Sequence, residues 1–485
     1  MSAIFPEKFL DRYKKILSKK EFEKFLFYSQ KPLRKSIRIN SLKISVEEFK
    51  KISEKNNWKL LEIPWSKNGF WIDRENREIP LGKNLLHLLG AFFIQESSSM
   101  LPVEILFWNS TIRKNEKILD LCAAPGAKTT QIAEKISNNG IIFANEFSAS
   151  RIKKLTFNLQ RCNVQNAAIL HKNGEKISQF FPQFFDKILL DVPCTGEGTI
   201  RKDFSALENW SEKKIQTAAK LQKKLLQSAF AALKNNGEIV YSTCTLSPEE
   251  NEEIIADFLE KNPSAELVDL SKFLPNCFGI SQFGKKNFSH ICKKVLRIWP
   301  QNFDSEGFFV AKIKKKFTNK NTFFGKTKNK FIKNKFRKIS LRKFKILQKF
   351  FLENFDFDFN PWSENFFEIG NEKIFLLPEK NENNFIYCDR AGILVAKIFG
   401  NQIRLGNEFG FFFEKFGDKN NLRILKISQK IVKKFLEGEN LNKKNFKNLP
   451  SSGEILVFWE KYFLGNAKIL GEKIKNNLPR KFIQK

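Results

Sequence analysis

Between Glu116 and Thr243, short apolar runs alternate with longer stretches of helical spacing, and few folds accommodate that alternation. The runs at 116–121, 140–146, 167–170, 186–190 and 237–241 have the length of buried strands. Residues 129–136, 149–161 and 213–234 repeat apolar positions as helices do. Strands alternating with such helices predict an α/β fold with a parallel, doubly wound sheet. Residues 290–299 and 307–315 read as a hairpin closing that sheet. Open sheets of this kind bind ligands beyond the carboxyl ends of their strands, so the chemistry is expected in the loops that follow the runs.

Three of those loops carry residues that a plain turn does not need. Ser242, Thr243, Cys244 and Thr245 follow the last parallel run. Ser247, Pro248 and Glu250 then suit the cap, first position and capping-box partner of a helix whose apolar residues are Ile254, Ile255, Phe258 and Leu259. Asp191, Val192, Pro193 and Cys194 follow the run at 186–190. A lone cysteine is ordinarily a small buried hydrophobe. Two of them at neighbouring strand ends, each in a polar loop of small residues, suggest thiols facing one pocket. The third loop, Cys122, Ala123, Ala124, Pro125, Gly126, Ala127 and Lys128, contains a single glycine. Without a G-x-G-x-x-G fingerprint a pyrophosphate is disfavoured, yet the small residues let a ligand approach the backbone. Glu146 ends the next strand about 20 residues on, where a carboxylate accepts both hydroxyls of a ribose. A nucleoside lacking a pyrophosphate fits S-adenosylmethionine; the plain alternative is a surface acid that caps a helix.

The net charge of +33, from 85 Lys and Arg against 52 Asp and Glu, points to a nucleic-acid partner. Abundant Lys, Asn, Phe and Ile are also what an AT-rich coding sequence produces, so the distribution is the sharper clue. Residues 311–350 hold 16 Lys and Arg and no acid. Seven cysteines without regular spacing suggest neither a disulfide framework nor a zinc cluster, and fit a reducing cytoplasm. No signal-peptide core and no long apolar run is present, so no membrane partner is expected.

The expected domains are a small α+β module at 1–100, an α/β domain at 101–315, a basic linker at 316–345, a C-terminal subdomain at 346–415 and a small β-rich module at 416–485. In the first, Phe9, Tyr13, Ile16 and Leu17 mark amphipathic helices, and 35–43 alternates like a half-buried strand. Ser45 and Glu48 form a capping box, and Arg34, Arg38 and Lys43 are candidate phosphate contacts.

Residues 122–128, 191–203 and 242–251 together resemble the motifs of the Nop/Sun family of RNA cytosine-5 methyltransferases. Within that family the chain looks most like the bacterial enzymes acting on small-subunit ribosomal RNA, through Gly69–Ile72, Gln95–Pro102 and Glu306–Ala311. The resemblance runs from about residue 30 to 315. It continues more weakly into Leu464–Lys468 and Lys475–Arg480, which resemble a PUA-like module. It implies a Rossmann-like class I methyltransferase domain and ribosomal RNA, within the small subunit, as partner of a monomeric enzyme. It also implies that residues 122–128 hold S-adenosylmethionine, that Glu146 meets its ribose and position 173 its adenine, and that Asp191 lies beside it. The family usually has Asp where this chain has Asn173. An amide oxygen still accepts from an adenine amino group, at a loss of about 1 kcal/mol.

Carbon 5 of cytosine needs help to accept a methyl group, and a thiolate added to carbon 6 makes it enamine-like. The motif implies Cys244 as that nucleophile. Cys194 is placed to assist the later elimination as a base, and Asp191 to hydrogen-bond the base edge. A free thiol is only a few per cent ionised near neutrality, so a cationic pocket is expected; Lys128 is a candidate orienting group. Enzymes that methylate exocyclic amines need no thiol and carry Pro-Pro-aromatic after the fourth strand, where Asp191 to Cys194 stand here. A non-catalytic RNA-binding assembly factor is the alternative outside enzymes.

Overall fold

The computed structural model describes residues 5–208, 210–317, 334–400, 402–479 and 483. The chain divides into two compact units, one of Met1–His87, Ala91–Leu155 and Leu170–Lys328, the other of Leu88–Gly90, Thr156–Ile169 and Asn329–Lys485.

At the centre of the first unit lies the expected doubly wound sheet. Its strands are β1 (Lys117–Asp120), β2 (Ile141–Asn145), β3 (Phe185–Asp191), β4 (Leu233–Thr243), β5 (Ala265–Val268), β6 (Leu296–Ile298) and β7 (Phe308–Lys315). β2, β1, β3 and β4 are parallel neighbours in that order. β7 runs antiparallel to β4 and carries β5 and β6 on its far side. The central strands are apolar on both faces, as strands covered by helices on both sides must be. Helices α1 (Ala127–Lys135), α2 (Ala149–Arg161), α3 (Glu212–Ala232) and α4 (Glu252–Lys261) supply the crossovers and the cover.

The N-terminal module adds an antiparallel sheet ordered Trp58–Ile63, Ser66–Arg74, Ser36–Ile39, Phe92–Ile94. The residue 45–48 capping signal holds: Ser45 accepts from the Glu48 amide at 3.1 Å and starts helix Val46–Lys55. The half-buried strand does not. Ser36–Ile39 is buried at every position, because Arg38 turns inward to an ion pair with Glu134 at 2.8 Å and donates to Ala127 O and Thr130. Arg38 and the buried Lys43 are therefore not phosphate contacts. Helices Glu7–Ile16 and Lys19–Gln30 bury Phe9, Tyr13 and Phe25 against Ile200, Leu207, Leu246 and Trp299, that is, against the segments that follow β3, β4 and β6.

In the second unit, five antiparallel strands (Phe336–Lys338, Phe366–Ile369, Lys373–Leu376, Ile393–Phe399, Gln402–Leu405) form one sheet. A second five-stranded sheet spans 424–476 and shares a phenylalanine-rich core with the first, including Phe351, Phe355, Phe409 and Phe458. Ala167–Leu170 forms a strand here as expected, paired antiparallel with Arg390–Ala391. The linker expected at 316–345 needs correction at its C-terminal end. Residues 336–338 are a strand, and Ser340 caps a helix at Leu341–Phe355, crossing the anticipated boundary at 345. That helix exposes its lysines and buries Leu347, Phe351 and Phe355, so a charge count alone misread it. Residues 318–333, in the middle of the basic run, lie outside the described residues. Among the described residues no helix is long and apolar enough to cross a membrane.

Candidate active site

Sheet register brings the two thiols together. Asp191 at the end of β3 lies opposite Ser242 near the end of β4, so Cys194 and Cys244 leave adjacent strands side by side. Their sulfurs are 3.3 Å apart. Ser242 Oγ donates to Asp191 Oδ1 at 2.7 Å, and Lys128 Nζ donates to Asp191 Oδ2 at 2.7 Å and to Ser99 Oγ at 3.0 Å. Burial works against the Lys128 cation, but Asp191, with a further contribution from Cys244, outweighs it and raises its pKa. The hydrogen bond to Cys244, together with burial, holds the Cys194 thiol well above the usual range.

Buried carboxylates lock the two loops to each other. Glu197 accepts from Tyr13 at 2.5 Å, Thr245 at 3.1 Å and Ser247 at 2.8 Å, and also from Trp210. Glu250 accepts from Gln222 at 2.7 Å and from the Thr195 amide at 3.2 Å, and burial pushes its carboxyl to about 7. The anticipated capping box is thus absent. Ser247 and Glu250 are spent on the thiol loops, Pro248–Glu250 is a single tight turn, and α4 begins at Glu252. A Cβ on Gly198 would lie 2.2 Å from Gly307 O and 2.6 Å from Cys244 O, so only glycine lets these three loops meet. Arg297, fully buried against Glu252, donates to Leu246 O at 2.8 Å and fixes the far side of the Cys244 loop.

The cofactor candidates form a separate cradle. Gly126 takes a left-handed conformation (φ 106°) ahead of α1. The Ala123 amide donates to Asn145 O at 2.8 Å, and Asn145 Nδ2 donates to Leu121 O and Lys172 O. Asp120, below the loop, is pushed by burial to about 7 while accepting from Thr129 at 2.6 Å. Burial also raises the Cys122 thiol. Glu146 Oε1 accepts from the Ser148 amide at 2.8 Å. Its buried Oε2 meets Arg151 at 3.4 Å but has no hydrogen-bond donor. Arg151 also donates to Ala124 O at 2.5 Å, tying the ribose candidate to the loop. Phe147 beside it is 69 % exposed. An acceptor awaiting a donor, a loop of small residues and an uncovered aromatic ring fit a nucleoside. Asn173 Oδ1 accepts from the Glu175 amide at 2.9 Å, which leaves one lone pair for a ligand.

Every predicted site residue thus falls at the strand-end face of one sheet, in two clusters that share Asp191 and Lys128. Ser99, Asn145, Arg151, Glu197, Ser242 and Glu250 were not singled out for these contacts. Of these, Ser99, Glu197, Ser242 and Glu250 stand inside the quoted motifs, and that was their only signal.

Comparison with known proteins bears on the whole chain. Residues 110–314 match the model of the 16S rRNA methyltransferase RsmB/F family, residues 5–97 that of the N-terminal domain of 16S rRNA methyltransferase RsmF, and residues 423–484 that of the methyltransferase RsmF PUA domain. The ribosomal RNA small subunit methyltransferase F of Psychromonas ingrahamii is 38% identical over 99% of this chain and 97% of its own. That of Aeromonas salmonicida is 37% identical over 100% and 98%. Among solved structures, a methyltransferase homologue from Pyrococcus horikoshii superposes with a TM-score of 0.56 at 33% identity, covering 64% of this chain and 95% of that one. With three domain models matched in order and full-length relatives at this identity, the chain is a methyltransferase and belongs to the RsmB/F family of 16S rRNA methyltransferases.

Proposed function

We propose that this enzyme methylates carbon 5 of a cytidine in small-subunit ribosomal RNA, using S-adenosylmethionine and a transient covalent bond to Cys244. The observation that carries the proposal is the 3.3 Å contact between Cys194 and Cys244 at the ends of adjacent parallel strands. A methyl transfer to nitrogen or oxygen has no use for two thiols in contact.

Residues 122–128, Glu146, Asn173 and Asp191 would hold the cofactor, which supplies an electrophilic methyl group. Asp191, oriented by Lys128 and Ser242, hydrogen-bonds the edge of the cytosine. Cys244 Sγ adds as a thiolate to carbon 6, and the displaced electron pair makes carbon 5 nucleophilic. The Lys128 ammonium interacts electrostatically with that sulfur, and Cys194 is in hydrogen-bond contact with it. Once the adduct exists, Cys244 can no longer hydrogen-bond as a thiolate. The foremost cause of the raised Cys194 pKa is then gone, so the Cys194 thiol gives up its proton to solvent more readily and stands as a thiolate at the stage that needs a base. It takes the carbon 5 proton, the carbon 5–carbon 6 double bond re-forms, and Cys244 leaves as a thiolate.

The N-terminal module and the segment matching the PUA model would present the RNA, and the described cysteines, all free, suit a cytoplasmic enzyme. The test is incubation with labelled S-adenosylmethionine and small subunits or their RNA, followed by nucleoside mass spectrometry. Labelled 5-methylcytidine is expected with the wild type and none with Cys244→Ala. Label on a nitrogen or a ribose oxygen, or full activity in Cys244→Ala, would overturn the proposal.

A further inference from the structure

A cleft of about 1040 Å3 opens in the first unit between the N-terminal sheet and the loop that follows Cys194. It exceeds the range of about 300–1,000 Å3 typical of small-molecule pockets. Seven of its eighteen lining residues are Lys or Arg, and Asp73 alone is acidic. Asp73 is already paired with Arg77 at 2.8 Å. Lys35 and Lys202 are exposed and form no close ion pair among the described residues, although Lys202 acts electrostatically on Asp203 and Glu306. Arg74 donates to Ile79 O, and burial with the neighbouring Arg77 lowers its pKa. The Arg34 guanidinium lies 4.3 Å from the centre of the Trp71 ring, and Arg34 is half-buried, so part of it faces the cleft.

The cleft is fixed to the active site. Arg201, whose side chain is buried, donates to Lys31 O, Pro32 O and Ser305 O and pairs with Asp304 at 2.6 Å. It therefore clamps the cleft wall to the segment leading into β7. Glu306 in that segment feels both Lys202 from the cleft and Lys128 from the thiol site.

We propose that this cleft holds the single-stranded ribonucleotides flanking the target cytidine, with one unstacked base on the outer face of Arg34 and phosphates on Lys35 and Lys202. The proposal rests on the RNA-methyltransferase reading above and adds where the substrate strand runs. Guanidinium planes supported by an aromatic ring are stacking platforms for bases, and unpaired cations along an open groove track a phosphate backbone. An acidic protein would also meet the charge. A base platform beside a buried ring favours RNA.

The experiment uses the full-length protein and a fluorescent twelve-nucleotide single-stranded RNA containing one cytidine, with a duplex of the same sequence as competitor, titrated across KCl concentrations. Lys35→Gln with Lys202→Gln should flatten the slope of log K against log salt by about 1.4, two contacts at about 0.7 each. Arg34→Ala should weaken binding roughly fivefold or more. Arg34→Lys, which keeps the charge and loses the plane, should stay weak. Cofactor affinity should not change in any of them, which shows the fold intact. A wild-type salt slope in the double variant together with wild-type affinity in Arg34→Ala overturns the proposal, as does equal competition by the duplex. If the wild type makes no 5-methylcytidine while the variants lose RNA, the functional reading falls and the cleft stands. If methylation proceeds and the variants bind normally, the reverse holds.

Discussion

The cofactor cradle and the thiol site lie on neighbouring strand ends of one sheet, yet they are built by opposite means. The cradle uses backbone: alanines, one left-handed glycine, and carbonyls gathered by Asn145. Its main acid, Glu146, keeps one oxygen without a donor. The thiol site uses buried side chains: Glu197 alone receives four donors, and Glu250 receives Thr195 and Gln222. A site that leaves valences open is made to bind something. A site that closes them is made to hold its own atoms still. Substitutions should therefore cost affinity in the first and stability in the second.

The largest expected effect is at Glu197. Glu197→Ala strands four buried donors and should lower unfolding free energy by about 3–5 kcal/mol, measured by denaturant titration. Glu146→Ala is the counterpart. It should leave that titration unchanged and weaken S-adenosylmethionine binding by about tenfold to a hundredfold, the range for a hydrogen bond to a charged group, read by calorimetry. If Glu146→Ala destabilises as much as Glu197→Ala, the contrast between the two regions is wrong.

A smaller effect sharpens the comparison through pH. Burial, with Glu96 nearby, raises the Glu306 carboxyl to about 8. Its folded pKa thus lies above its unfolded one, near 4.3. Between these values the native state holds a proton that the unfolded state has released, so this group's contribution to stability falls as pH rises from about 5 to 8. Asp120 and Glu250, each at about 7, act in the same direction. Glu306→Gln removes the group's titration. Relative to wild type it should gain roughly 3 kcal/mol more at pH 8 than at pH 5. A difference that does not vary with pH would mean that Glu306 is ionised in the native state. Smallest is Asn173→Asp, which keeps an oxygen to cap the Glu175 amide and adds charge toward the adenine. It should tighten cofactor binding about fivefold, and weaker binding would remove position 173 from the cradle.

The cradle was also the more legible region, for the same reason. Small residues after a strand, and an acid at the end of the next, are local patterns. Backbone-built sites are written locally. The thiols were legible as strand-end residues, but their contact depends on register, Asp191 opposite Ser242, which no local pattern encodes. Less legible still were the groups whose partners lie far along the chain. Arg38 read as a phosphate contact because its partner Glu134 is 96 residues away. Tyr13 read as one face of an amphipathic helix, although its hydroxyl reaches 184 residues to Glu197. Ser247 and Glu250 read as a capping box because that pattern is local, whereas Thr195 and Glu197 claim them from another loop.

The central claim is that the two touching thiols act in sequence, Cys244 making the bond to RNA and Cys194 helping to break it. Denaturing gel electrophoresis after incubation with small-subunit RNA and S-adenosylmethionine tests this directly. Cys194→Ala should accumulate a protein–RNA species that survives denaturation and requires the cofactor, while Cys244→Ala and the double variant should give none. A trapped species in Cys244→Ala and not in Cys194→Ala would reverse the two roles and contradict the account.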